Sequence, residues 1–436
     1  MMKKNRTIYF LLALVCLGLQ SCLFQEEDYF DDSSANRATA DVKRCSELLE
    51  AAPNGWVMEY YVGKDYSLGG ITLLCKFDGQ RVTMASQIAG ADETVNSLYS
   101  VKSEQATMLS FDTYNYLVHY FGQPQGSMAD DPNGTLGGDY EFVISDATAD
   151  RIELKGKKYG NRIVMKAFSA DQTWKQYLTR IKKVEDDAFF YEYDLRMDGL
   201  YTGQMLRSNY TFIVTYYDEV GKVYQKTVPF MFTTDGMRFH EPVTIDGQTM
   251  QNFVWKNEEI SFVCTDEGAT GVKMKGIYID GYQSYDYYPG TYLMDFYRLN
   301  GATNQLEVAS QEIQLVKNED GKSYWLKGLE YDILVTYDKP RGGLSILPQF
   351  LKKVQGGYVY LAMWDLMNDY VLRSSAIGLI SYPTTDGIYL VDNGVWMGEI
   401  SGFIFGVYDS QDEEASFMGY TDAVAAIRLI KKTIEE

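Results

Sequence analysis

Three observations predict a mainly β (α+β) protein: antiparallel β-meander modules, each preceded by a helix, in a multidomain chain with a C-terminal amphipathic helix. Short apolar-polar alternating runs recur along the chain, separated by Asp78-Gly79, Asp235-Gly236, Asp246-Gly247 and Asp320-Gly321. Such dipeptides supply the positive φ that hairpin turns need. Tyrosine is abundant, at 36 residues, and tyrosine suits pleated, half-exposed sheet faces. Finally, 436 residues are too many for one hydrophobic core, so two or three domains are expected.

The first module is assigned to residues 33–169. Ser33 or Ser34 can cap a helix running to about Glu50, with Val42, Leu48 and Leu49 on its apolar side. Pro53-Asn54-Gly55 ends it. Strands are predicted over Trp56 to Tyr61, Ile71 to Phe77, Arg81 to Ser86, Val95 to Val101 and Thr107 to Phe111. Tyr114 to Phe121 forms a short helix or turn, and Gln123 to Gly138 is a loop. Tyr140 to Ile144, Arg151 to Leu154 and Asn161 to Phe168 complete the meander.

The second module, residues 170–289, opens with a helix over Asp171 to Lys183. Strands follow over Tyr210 to Tyr217, Lys222 to Phe232, Met237 to Phe239, Met250 to Trp255 and Ile260 to Cys264. Residues 140–156 and 260–276 echo one another without a gap at Phe142/Phe262, Val143/Val263, Asp146/Asp266, Lys155/Lys275 and Gly156/Gly276. Two related modules account for this, and so does the likeness of any two hairpins in a β-rich chain. The third region, residues 290–436, alternates as strands from Tyr292 onward. It ends in a predicted amphipathic helix over 421–434, with Val424, Ile427, Ile430 and Ile434 on one face.

The first 21 residues carry the signature of a lipoprotein signal peptide. Lys3, Lys4 and Arg6 precede an apolar run from Ile8 to Leu19, too short for a transmembrane helix. Leu19-Gln20-Ser21-Cys22 then provides a cysteine for lipidation. Acyl chains such as palmitate on Cys22 anchor a protein through about 0.8 kcal/mol per buried methylene. Gln25-Glu26-Glu27-Asp28, Asp31 and Asp32 make residues 22–32 an acidic tether. This places the chain at the outer membrane, lipid-anchored, on the cell surface, with a periplasm-facing anchor as the alternative.

Charge narrows the partners. The chain carries 40 Lys+Arg against 60 Asp+Glu, a net charge of −20, which repels nucleic acid and argues against it as a partner. Beyond the signal and Cys22, only Cys45, Cys75 and Cys264 remain. Cys75 and Cys264 lie in apolar strands and are expected to be small buried hydrophobes.

Catalytic patterns are sparse. The two histidines, His119 and His240, stand apart, and neither a zinc-protease pattern nor a nucleophile elbow accompanies them. Both are expected to be structural. No cofactor or metal motif with defined spacing is present; Asp130, Asp131, Asn133 and Asp139 could hold calcium but also suit ordinary turns. Sixty acids supply candidate carboxylate pairs for a hydrolase, without spacing that singles one out. The densest aromatic stretch carries Tyr278, Tyr282, Tyr285, Tyr287, Tyr288 and Tyr292 between turn residues, which imply that these rings are exposed. Of these, Tyr282, Tyr285, Tyr287 and Tyr288 are the candidate ligand-binding residues, and packing between domains is the plainer account.

Several motifs together resemble a known family. They are the acids after Cys22, Ser33 to Arg37, Ala52-Pro53-Asn54-Gly55-Trp56 through Tyr61, Leu109 to Asn115, His119-Tyr120-Phe121 and Gly137 to Phe142. This pattern is similar to the Bacteroidota lipoproteins grouped as domain of unknown function 4302. The resemblance implies a surface or periplasmic lipoprotein encoded beside TonB-dependent transporters and partner lipoproteins. It supplies no catalytic residues. The expectation is a non-enzymatic binding or accessory component of glycan or peptide uptake. The alternatives are a carboxylate-dependent hydrolase and a structural partner of a TonB-dependent transporter complex.

Overall fold

A computed structural model describes residues 33–124, 134–217, 220–412 and 414–432. Cys22 and the rest of the expected signal and tether, with Asp130, Asp131 and Asn133, lie outside the described residues. Among the described residues the strands form three antiparallel sheets.

Helix α1 (Ser34–Ala51) begins where the sequence places a cap: the Ser33 hydroxyl accepts a hydrogen bond from the Asn36 amide at 3.2 Å. Gly55 turns the chain with φ +82°, and eight strands follow. They are β1 (Trp56–Val62), β2 (Gly69–Asp78), β3 (Arg81–Ser86), β4 (Val95–Ser103), β5 (Thr107–Phe111), β6 (Glu141–Ala147), β7 (Arg151–Gly156) and β8 (Arg162–Ala167). A short helix α2 (Tyr116–His119) lies between β5 and β6. Each strand pairs with the next, and β1 also pairs with β8 through Trp56↔Ala167, closing a barrel. Alternate residues Trp56, Met58, Tyr60 and Val62 of β1 point inward beside Leu73, Cys75 and Phe77 of β2. Cys45, Leu49 and Ala52 of the α1 region join that same core. The indole nitrogen of buried Trp56 donates to the Leu49 carbonyl at 2.8 Å, satisfying a group that the last turn of a helix leaves unpaired.

Helix α3 (Trp174–Asp187) starts with a reciprocal capping box between Thr173 and Gln176. Its apolar face is shared. Leu178 packs on Leu74, Ala85 and Phe168 outside the first barrel. Ile181 and Val184 belong to the core of the second barrel. That barrel comprises β9 (Glu192–Met197), β10 (Leu200–Ser208), β11 (Thr211–Tyr217), β12 (Val223–Phe232), β13 (Gly236–Ile245), β14 (Gln248–Lys256), β15 (Ser261–Cys264) and β16 (Val272–Ile277), closed by the β9–β16 pairing. Phe212, Phe230, Phe232, Phe239 and Tyr193 fill its interior. Between the barrels, Glu59 binds Lys166 (2.7 Å) within the first barrel and Arg238 of the second.

The sequence echo does not mark equivalent strands. Residues 140–156 form strands six and seven of the first barrel, whereas 260–276 form seven and eight of the second. The registers differ as well: Phe142 faces Gly156, but Phe262 faces Met274. What repeats is the architecture, a helix followed by eight antiparallel strands. The shared glycines have a local cause. A Cβ on Gly156 would overlap the Asp139 carboxylate, and one on Gly276 would sit 2.5 Å from the Phe190 ring.

The third sheet contains β17 (Gly290–Asn300), β18 (Gln305–Lys317), β19 (Ser323–Lys327), β20 (Ile333–Asp338), β21 (Gly343–Ile346), β22 (Gln349–Val354), β23 (Gly357–Asp365), β24 (Tyr370–Leu372), β25 (Leu379–Thr384), β26 (Gly387–Asp392), β27 (Gly402–Tyr408) and β28 (Phe417–Lys431). The pairing path runs β17-β18-β19-β20-β21-β25-β26-β28 and returns to β17. Strands β27, β23 and β22 extend from β28, with β24 on β23.

The amphipathic helix expected over 421–434 is not formed: residues 417–431 are strand β28. Ala426 sits at φ +51°, and the register against β17 shifts between Asp295 and Tyr297. An extra residue in a strand turns a two-residue repeat locally into three. Val424 and Ile427 are both buried for that reason, and their spacing imitates a helix.

Candidate functional site

The segment that joins the second barrel to the third sheet is the tyrosine-rich stretch, and it lines a cleft of about 780 Å³. Phe189 and Phe190, just after α3, form one wall with Trp255 near the end of β14 and Asn257 and Ile260 of the turn that follows. Tyr278, Tyr282, Ser284 and Tyr285 cross it, and Lys322 with Tyr337 to Pro340 close the third-sheet side. Phe189 stacks on Phe190 (centroids 4.3 Å, 22°) and lies parallel to Tyr282 (6.0 Å, 15°), which packs on Tyr278 at 4.3 Å. Ile260 holds φ +50° in this wall, a strained conformation for a β-branched residue.

Lys339 reaches across the cleft. Its ammonium donates to the Asp186 carbonyl at 2.6 Å, lies 3.8 Å from Asp187 and sits 4.9 Å over the Phe189 ring. A cation at the carbonyl end of α3 complements the helix dipole. Lys322 adds a 3.7 Å contact to Asp186.

The four candidate tyrosines separate. Tyr282 and Tyr285 line the cleft. The Tyr285 hydroxyl donates to the Ser323 carbonyl (2.8 Å), and its ring stacks on Tyr324 at 4.7 Å. Tyr287 lies outside the cleft lining, 39% exposed, with the Lys431 ammonium 4.9 Å over its ring. Tyr288 corrects the expectation of exposure: it is 0% exposed and donates to the Gly342 carbonyl at 2.8 Å. It sits in the core because β17 begins two residues later and draws it under the sheet. Trp255, Phe189 and Phe190 belong to the cleft although no spacing in the sequence connects them to the tyrosines. Burial pushes the Tyr282 and Tyr285 hydroxyls above the ordinary tyrosine range, so both stay neutral at pH 7; Tyr282 accepts from the Tyr337 hydroxyl at 3.1 Å.

The remaining candidates have structural partners. His119 accepts from the Asn115 amide at 3.2 Å and stacks on Tyr140 (4.6 Å, 20°). His240 is held between Tyr61 (4.2 Å) and Tyr66 (4.1 Å), across the barrel junction. Burial lowers both imidazoles from their usual value. Both carboxylate oxygens of Asp139 accept backbone amides, from Lys158 (2.7 Å) and Tyr159 (3.1 Å), which ties them to the β7–β8 turn. Cys45, Cys75 and Cys264 are buried free thiols.

Comparison with known families is informative about membership. The sequence model of the domain of unknown function DUF4302 matches residues 26–257, more than half of the chain. The chain belongs to this family. A second domain of unknown function, DUF4987, matches residues 265–404. The DUF4302 match thus spans α1 to β14, and the DUF4987 match begins after β15 and covers most of the third sheet. No curated protein matches. Among solved structures, a protein of unknown function of the DUF3598 family from Nostoc punctiforme is 7% identical. It covers 57% of this chain and 99% of its own, with a TM-score of 0.15. A mutant of transferrin binding protein B, a vaccine antigen from Haemophilus parasuis, is 11% identical over 85% of this chain and 67% of its own, with a TM-score of 0.13.

Proposed function

We propose that this DUF4302 protein is a non-enzymatic lipoprotein, anchored by Cys22 at the outer membrane and facing the cell surface, that captures a glycan or peptide for uptake. The observation that carries the reading is the cleft between the second barrel and the third sheet. Its volume, about 780 Å³, falls in the range of ligand sites, and its lining combines aromatic faces with a few polar groups, as such sites do. By contrast, aromatic side chains fill both barrel interiors. The lipidation motif and the acidic residues before α1 support display beyond the membrane. A TonB-dependent transporter or partner lipoproteins are the neighbours this role implies.

The test is a glycan and peptide array probed with the mature protein in detergent, paired with protease shaving of intact cells. Binding to one ligand class that Tyr282→Ala weakens supports capture at the cleft. Binding indifferent to changes in the cleft overturns that site, and full protection from protease in intact cells overturns surface display.

A further inference from the structure

We infer that the cleft is built for an uncharged glycan, with pyranose rings lying against the Tyr278, Tyr282 and Trp255 side chains; this rests on the ligand-capture reading above. The chain carries a net charge of −20, yet every carboxylate in the lining is matched by a base. Asp186 pairs with Lys322 at 3.7 Å, and Asp187 with Lys183 at 2.6 Å and Lys339 at 3.8 Å. Asp286 pairs with Lys317, and Asp338 with Arg341 at 3.8 Å. A uronate or sulfate ligand would meet bases already engaged, and a basic ligand would meet acids already engaged. Neither gains the unpaired opposite charge on which ionic recognition depends.

What the cleft offers freely is neutral. The Tyr278 ring is 45% exposed, and the Tyr278 and Ser284 hydroxyls hold no partner among the described residues. The Asn257 side-chain Oδ1 accepts from the Trp255 indole at 3.4 Å, leaving its side-chain NH2 to donate. An aromatic face is electron-rich and attracts the polarised C–H face of a sugar ring. Hydroxyls and an amide at the rim then exchange hydrogen bonds with the sugar hydroxyls. An apolar peptide would use the rings but strand those polar groups, which is costly once water is excluded.

The decisive experiment is calorimetric titration of the mature protein with three probes of matched length, at low and high salt. They are neutral hexose oligosaccharides (a glucan, mannan and galactan set), polygalacturonate fragments and an uncharged apolar peptide. The expected result is binding of a neutral oligosaccharide that is unchanged by salt, because screening acts only on charge. Tyr278→Ala is expected to weaken it about tenfold or more, as loss of one aromatic anchor does. Tyr382→Ala, 60% exposed on β25 and outside the cleft lining, is expected to leave affinity within about twofold. Cleft-dependent binding of the uronate alone, fading with salt, or of the peptide alone, would overturn the neutral-glycan assignment while sparing the cleft. Absence of binding by all three probes, or binding indifferent to Tyr278→Ala, would overturn both.

Discussion

Replacing Trp56 by Phe tests whether α1 is fastened to the first barrel through one side chain. Trp56 is 0% exposed, and its indole nitrogen donates to the Leu49 carbonyl at 2.8 Å. Leu49 is itself 0% exposed and lies in the last turn of α1, so no water replaces the lost donor. An unsatisfied buried carbonyl costs about 1–3 kcal/mol. The smaller ring leaves a void that adds roughly 1 kcal/mol more. The expected loss is therefore about 2–4 kcal/mol, concentrated in the first barrel. Urea unfolding followed by circular dichroism gives the total, and hydrogen exchange of α1 peptides locates it. Trp325→Phe, on the 36% exposed face of β19, serves as control and should cost less than about 0.5 kcal/mol. If Trp56→Phe is as silent as the control, or α1 protection is unchanged, the anchoring argument fails.

The other predictions address the junctions and the glycines. Burial acts to raise the Glu59 carboxyl, but Arg238 and Lys166 outweigh it and hold the group below the usual carboxylate range. Its contribution is thus fully present above the ordinary glutamate value, near 4.3, and lost as pH falls through the lower folded value. Glu59→Gln should cost about 1.5–3 kcal/mol at neutral pH and flatten that acid limb of the stability profile; an unaltered limb would show the pair does not couple the barrels. Gly276→Ala should cost about 1–3 kcal/mol, since the new methyl meets the Phe190 ring at 2.5 Å, and a neutral melting temperature would refute that packing. Ala426→Gly should instead stabilise by about 0.5–1 kcal/mol, because the position is exposed and holds φ +51°; destabilisation would argue against the kink in β28.

Much of the first barrel was legible because its signals are local. Ser33, one of the two serines the sequence offers as a cap, caps α1, and Asp78-Gly79 closes a hairpin, each through chemistry confined to a few residues. Strands β9 and β10 were not anticipated. Glu192-Tyr193-Asp194-Leu195-Arg196-Met197 alternates but is half charged, and only closure of the barrel gives Tyr193, Leu195 and Met197 an interior to face. The helix expected at 421–434 failed because a kinked strand and a helix share a three-residue spacing, and only the partners β17 and β27 distinguish them. In the cleft, the tyrosine stretch pointed to Tyr282 and Tyr285. Trp255 and Phe189 could not be found that way, since they arrive from a hairpin and a helix end. Tyr288 shows the limit of turn residues as a sign of exposure, because a turn can lead straight beneath a sheet.

The connectivity of β28 sets an order of events during synthesis. The first barrel needs nothing beyond β8 to close, and the second nothing beyond β16. Both can fold while the ribosome is still extending the chain. The third sheet cannot, since β17 waits for a strand whose pairing partner Lys431 lies 139 residues beyond Tyr292. Until that strand is released, β17, β26 and β27 each present a bare edge, the kind of surface on which chains join one another. Nascent chains halted before residue 417 should therefore carry two finished barrels and a third region that depends on chaperones.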